Sequence, residues 1–158
     1  MRVVLSVLLV NLSFGVTTLT AGAEPFNWSY EPETKALVGM EEIYEGDYSF
    51  HAVCQSPQHV KLGIGAQTGV GKGAREKVSV TLASAARNVR IEGKSGNSAN
   101  FEMTAGVELQ ATISATHPVF QLLLDSGPIT VTGDLRETWP AAGRTSAVRK
   151  FLSACKPQ

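Results

Sequence analysis

The chain carries no excess of either charge, only two cysteines, no internal repeat and, beyond its first residues, no long apolar run. Each shortage excludes something. Fourteen Lys and Arg balance fourteen Asp and Glu, so there is no electrostatic footprint for nucleic acid. Nothing after residue 23 stays apolar long enough to cross ~30 Å of hydrocarbon as a helix. Catalytic signatures are short as well. No GxSxG elbow presents a serine, and Ser95 and Ser126, each before a glycine, read as turn residues. Asp125 and Asp134 sit where a helix end and a turn account for them. No spacing selects an acid and base pair. His51 and Cys54 are an odd number apart, which puts them on opposite faces of a strand, so with His59 they do not form a metal site. His117 precedes Pro118 at a helix start, where a capping or surface role suffices. No catalytic, metal or cofactor residue is assigned.

What is present begins with the leader MRVVLSVLLVNLSFGVTTLTAGA. One charge, Arg2, precedes a short apolar run from Val3 to Val10, and Ala21-Gly22-Ala23 fits a small-x-small cleavage site. Residues 1–23 are read as a secretory signal peptide, and 24–158 as one domain large enough for a real core. Export then gives the cysteines their meaning. Two thiols in an oxidising compartment predict one disulfide, Cys54–Cys155, closing 101 residues.

The remaining pattern has a period of two. Tyr48, Phe50, Ala52 and Cys54 alternate with Ser49, His51 and Val53. The same period runs through Val60, Leu62 and Ile64; Val78, Val80 and Leu82; Val89 and Ile91; Phe101 and Met103; Val107, Leu109, Ala111 and Ile113; Ile129 and Val131. Turn signals separate the runs at Ser56-Pro57, Ser84 to Arg87, Gly93 to Asn97, Gly106, Gly127-Pro128 and Gly133-Asp134. Alternation of this kind predicts half-buried antiparallel strands, and many of them predict a mainly β fold, an antiparallel β-sandwich.

Two segments depart from it. Thr116 to Gly127 has a capping Thr, an early Pro118, apolar Val119, Leu122 and Leu123 and a terminal Gly, which predicts a short helix. Gly143 to Cys155 places Val148, Phe151, Leu152 and Cys155 on one helical face. The disulfide would pin this last helix onto the sheet. Phe26, Trp28 and Tyr30 alternate near the start, and Trp139 precedes the last helix; they are expected to plug the ends of the β scaffold rather than to stack on a partner.

Residues 63–75 read GIGAQTGVGKGAR. Ala66 stands where a phosphate loop needs its first glycine, and Gly73 where it needs a hydroxyl. A dinucleotide loop would need glycine at Thr68. The stretch is read as a mobile connection between strands, and Lys72, Arg75 and Lys77 as a candidate partner-binding loop for an anionic partner such as a cell-wall polymer. Charge is segregated along the chain: seven bases against two acids between Lys61 and Lys94, and seven acids against Lys35 between Glu24 and Tyr48.

The stretches HAVC at 51–54, HPVFQLLLDSGPITVTG at 117–133, and Trp139 with GRTSAVRKFLSAC at 143–155 loosely resemble exported bacterial proteins of the type VI secretion accessory kind, the TagO/VasI-like group. Val53 stands where that group carries Arg. The resemblance implies a link to envelope or secretion machinery. The expected role is a periplasmic or secreted, non-enzymatic binding or accessory protein of the cell envelope, whose partner is an envelope protein or cell-wall polymer. The alternatives are an inhibitor of a secreted enzyme such as lysozyme, for which the Ser95-Gly96 loop speaks, and a hydrolase with residues no motif announces.

Overall fold

The computed structural model describes residues 25–41 and 47–156. The expected signal peptide lies outside the described residues. The fold is mainly β and antiparallel, as the alternation predicts. Nine strands form in chain order: β1 (Phe26–Glu31), β2 (Ala36–Glu41), β3 (Phe50–Ser56), β4 (His59–Ile64), β5 (Lys77–Ala83), β6 (Asn88–Asn97), β7 (Val107–Ile113), β8 (Ile129–Gly133) and β9 (Arg136–Trp139). They pair as one hydrogen-bonded series, β1-β2-β3-β4-β7-β6-β5-β8-β9, with no break into two sheets. The sheet curls until it is nearly closed. Its first and last strands meet through aromatic side chains. Trp28 Nε1–H donates to the Pro140 carbonyl at 3.2 Å, and the Trp28 and Trp139 rings lie edge to face with centroids 5.8 Å apart. Phe50 packs against both.

The inner face is built by register. Phe50, Ala52 and Cys54 lie opposite Ile64, Leu62 and Val60, and Ile64 and Leu62 lie opposite Leu109 and Ala111 on β7. Val80 and Leu82 meet Ile91 and Val89. Most of these side chains are buried, and each large one contributes about 1.5–3 kcal/mol by leaving water.

Both expected helices form and cover this core. α2 (Pro118–Leu123) buries Val119, Phe120, Leu122 and Leu123. Its cap is His117 rather than Thr116: the ring Nδ1 accepts from the Val119 N–H at 3.2 Å. α3 (Arg144–Ala154) buries Ala147, Val148 and Phe151, and Phe151 packs on Phe120 with ring centroids 5.4 Å apart. At eleven residues α3 would be marginal alone. The Cys54–Cys155 disulfide ties it to β3 across a sequence separation of 101, with Cα atoms 5.8 Å apart. Arg144, fully buried at the start of α3, supplies a second tie. Its guanidinium donates to the carbonyls of Leu123, the last residue of α2, of Asp125 and Gly127 just beyond it, and of Trp139 and Pro140. The carbonyls of Leu123, Asp125 and Gly127 lie at the C-terminal end of α2, where carbonyls lack intrahelical donors.

Three local readings are corrected. Phe101 and Met103 do not continue a strand; Phe101–Thr104 is a single helical turn, α1, with Ala105 left-handed after it, and Met103 is largely exposed. Gly93 to Asn97 is not a turn, because β6 runs through it to Asn97, pairing with β5 and then with β7. Tyr48 does not share the core face with Phe50. It precedes β3, and its ring rests 5.8 Å from that of His51, which faces outward.

Candidate functional site

The outer face of the sheet holds the most developed polar cluster. On β3, β4, β7 and β6 the residues His51, Gly63, Gln110 and Lys94 stand side by side in register. Gly63 leaves a gap in the outer surface, and the His51 imidazole lies across it. A Cβ at Gly63 would overlap the ring. The imidazole thereby reaches past β4 to Glu108 on β7, where Nε2–H donates to Oε2 at 2.9 Å. The other carboxylate oxygen accepts from Gln110 Nε2 at 3.1 Å, and the same amide donates to the Asn97 carbonyl at 2.9 Å. Gly96 on β6, opposite Glu108, makes room for the Gln110 side chain in the same way.

Glu108 is thus almost fully buried on the solvent side of a sheet. A buried carboxylate is costly unless it is paired and hydrogen-bonded, and here both oxygens are. The carboxylate also fixes the imidazole tautomer, since Nε2 must carry the proton it donates. Tyr48, half-buried beside the ring, has its hydroxyl pKa raised by burial and then by the charge of Glu31.

The cluster forms part of the floor and wall of a groove of about 390 Å³, which Lys61, Arg75, Lys94 and Thr112 also line. Among the described residues, no carboxylate lies within ion-pair distance of Lys61, Arg75 or Lys94; the pairs that form are His51–Glu108, Arg87–Asp125 and Arg90–Glu92. Three unpaired cations around one internally satisfied carboxylate give the groove a net positive field. It can hold an anionic group by charge-assisted hydrogen bonds.

The glycine stretch is fastened, not a mobile connection. Val70 is buried and its N–H donates to the Val107 carbonyl. Ser95 Oγ donates to Val70 O at 2.6 Å and accepts from the Gly73 N–H at 2.8 Å. Gly65, Gly69, Gly71 and Gly73 all take positive φ, and the chain curls so that the N–H groups of Lys72 and Ala74 point at the Glu76 carboxylate. The loop is therefore an anion cradle filled by its own side chain. The backbone N–H of Lys72 first, then that of Glu76 itself, holds the Glu76 pKa below the usual carboxylate range.

The candidate partner-binding residues divide. Arg75 lines the groove, and Lys77 stands on β5 next to Lys94. Lys72 is exposed on the loop and does not line this groove. The Ser95-Gly96 pair is not an exposed loop but part of β6, with Ser95 buried. Of the histidines and cysteine weighed for metal, His51 bonds Glu108, His59 bonds the Ser56 hydroxyl and Cys54 is in the disulfide. Among the described residues, no three His, Cys, Asp or Glu gather as ligands. Asp125 accepts from Ser84 Oγ at 2.6 Å and Arg87 Nε at 2.9 Å. A groove of about 510 Å³ near Asp47 and Gly106 has no basic lining residue, and Asp47 there accepts from Ser98 Oγ.

Sequence reasoning missed Glu108, Gln110, Lys61 and Lys94 as one group. They stand at polar positions of alternating strands, where solvation is the ordinary reading. The one weak signal was Gly63, a glycine inside the strand pattern of Val60 to Ile64, which marks close approach. Comparison with known proteins adds no neighbour: no family model, no curated protein and no solved structure matches this chain.

Proposed function

We propose that this protein is an exported, periplasmic or secreted, non-enzymatic binding or accessory module of the cell envelope, and that its ligand is anionic. The observation that carries the reading is the groove of Lys61, Arg75 and Lys94, whose charges have no carboxylate partner among the described residues. Partner-seeking charge on a rigid sheet is a binding device. The disulfide is consistent with an oxidising compartment, and no described helix is long and apolar enough to cross a membrane. A binding role rather than turnover is favoured because, among the described residues, no hydroxyl or thiol is hydrogen-bonded to the His51–Glu108 pair as a nucleophile for it to activate. The type VI secretion accessory resemblance belongs to the same proposal, as the kind of envelope machinery such a module would serve. In architecture, we read the curled sheet as two sandwich-like layers closed over one core, with Trp28 and Trp139 at the seam.

The test is retention of the oxidised protein on purified cell-wall material across a salt series. Retention should be strong at low salt and fall steadily as screening sets in. Lys61→Glu with Lys94→Glu should weaken it at least tenfold. Retention indifferent to both salt and this double reversal would refute the reading.

A further inference from the structure

The basic surface does not end at the first groove. A second one, about 450 Å³, lies on the other side of Lys94 and is bordered by Lys77, Arg90 and Glu92. Lys94 lines both. Register makes the link continuous: His51, Gly63, Gln110, Lys94 and Lys77 form one row across β3, β4, β7, β6 and β5. Four inter-strand steps give that row a length of about 19 Å. Within it, Lys77 and Lys94 are directly opposed. Like charges facing each other across a strand pair repel, and an anion bridging them would relieve this.

We propose that the two grooves are one elongated site, and that its occupant is a strand of acidic glycan laid across the sheet. This rests on the reading of the outer face as the anion-binding surface. Lys61, Arg75, Lys94 and Lys77 take successive charges of the strand, while Gln110 and the exposed Thr112 meet its hydroxyl groups. A lone phosphate or carboxylate would fill one groove and leave the other empty. Nucleic acid fits less well, because its single strands want aromatic platforms and neither groove is lined by Phe, Tyr or Trp. A membrane surface wants an apolar anchor. The large hydrophobic exposed among the described residues is Met103, which lines neither groove.

The experiment is calorimetric titration of the full oxidised chain with oligogalacturonates of graded length, at one low salt concentration. Affinity should rise at least tenfold once the oligomer is long enough to reach from Lys61 on β4 to Lys77 on β5, three inter-strand steps or about 14 Å, then level off. Lys77→Gln, an exposed change, should bring long oligomers down towards the affinity of short ones. Lys94→Gln should weaken both. Affinity independent of length and matched by inorganic phosphate would overturn the elongated site and leave the proposed function standing. A single-stranded oligodeoxynucleotide of equal length binding as tightly would overturn the glycan assignment. Failure of every oligouronate, with cell-wall retention intact, would sink this inference alone; failure of both would take the proposed function with it.

Discussion

A histidine caps a helix only while a ring nitrogen is free to accept. His117 Nδ1 accepts from the Val119 N–H, and burial holds its pKa below the ordinary value. Protonation would end the cap and bury a charge. The sign follows: a depressed folded pKa gives stability that is complete above the unfolded value of about 6.5 and lost as pH falls through the folded one. His117→Asn keeps a capping oxygen that does not titrate. Urea midpoints from pH 7.5 to 5 should therefore fall less steeply in this variant than in the parent, by at most the value of a cap, about 1 kcal/mol. Identical slopes would show that the ring does not titrate as a cap. The helix start was legible, because Pro118 before an apolar run announces one, but the cap was read as Thr116 and falls one residue later. The buried charges were not. Arg144 looked like any helix arginine, and Glu108 like any outward strand residue. Arg144 is buried because five carbonyls converge on it, and Glu108 because an imidazole lies over a glycine on the next strand; both are facts of tertiary neighbours, not of local pattern.

Strands show the same division. Alternation found β3 through β8 because each buries one face and leaves the other wet. β2 escaped it: Ala36, Leu37, Val38 and Gly39 are all buried, so no period of two survives. β9 is four residues long and ends at Trp139, which reads as an isolated aromatic. Residues 101–104 alternate by coincidence, and the left-handed Ala105 shows the chain reversing there. The glycine stretch was legible as a place of positive φ but not as an anchored loop, since its anchors, Ser95 and Val107, come from later strands. Register also creates a strain that no single strand reveals, the opposed pair Lys77 and Lys94. If that repulsion is kept for a ligand, relieving it should stabilise the free protein. Lys77→Glu replaces a like pair with an opposite one, worth about 0.2–1 kcal/mol across a strand pair. The urea midpoint should rise while binding of acidic polymer falls. A variant that is less stable and binds as before would contradict the role given to this pair.

At the scale of the whole molecule, the order of strands was beyond the sequence. The pairings β4 with β7 and β5 with β8 join segments far apart in the chain, and alternation says which face a residue shows, not which strand it meets. The exception was covalent. With two cysteines there is one possible bond, and it predicted the contact between the end of the chain and β3. That bond and Arg144 hold the same helix by different means. Arg144 fixes the start of α3 through carbonyls, and Cys155 fixes its end through sulfur. The disulfide acts chiefly on the unfolded chain, where a closed loop of about 100 residues is worth about 4.7 kcal/mol in the entropy model and often less in practice. Cys54→Ala and Cys155→Ala each remove the whole of that constraint. Their thermal midpoints should drop together, and the double variant should be no worse than either single one, because the same link is lost in all three. The size of the shared drop measures how far Arg144 and the Phe120–Phe151 contact can hold α3 alone. A small drop would mean that packing seats the helix and the bond only secures it. A double variant losing the sum of the two single losses would mean that the sulfurs act separately, and that the helix is not fastened to the sheet through them.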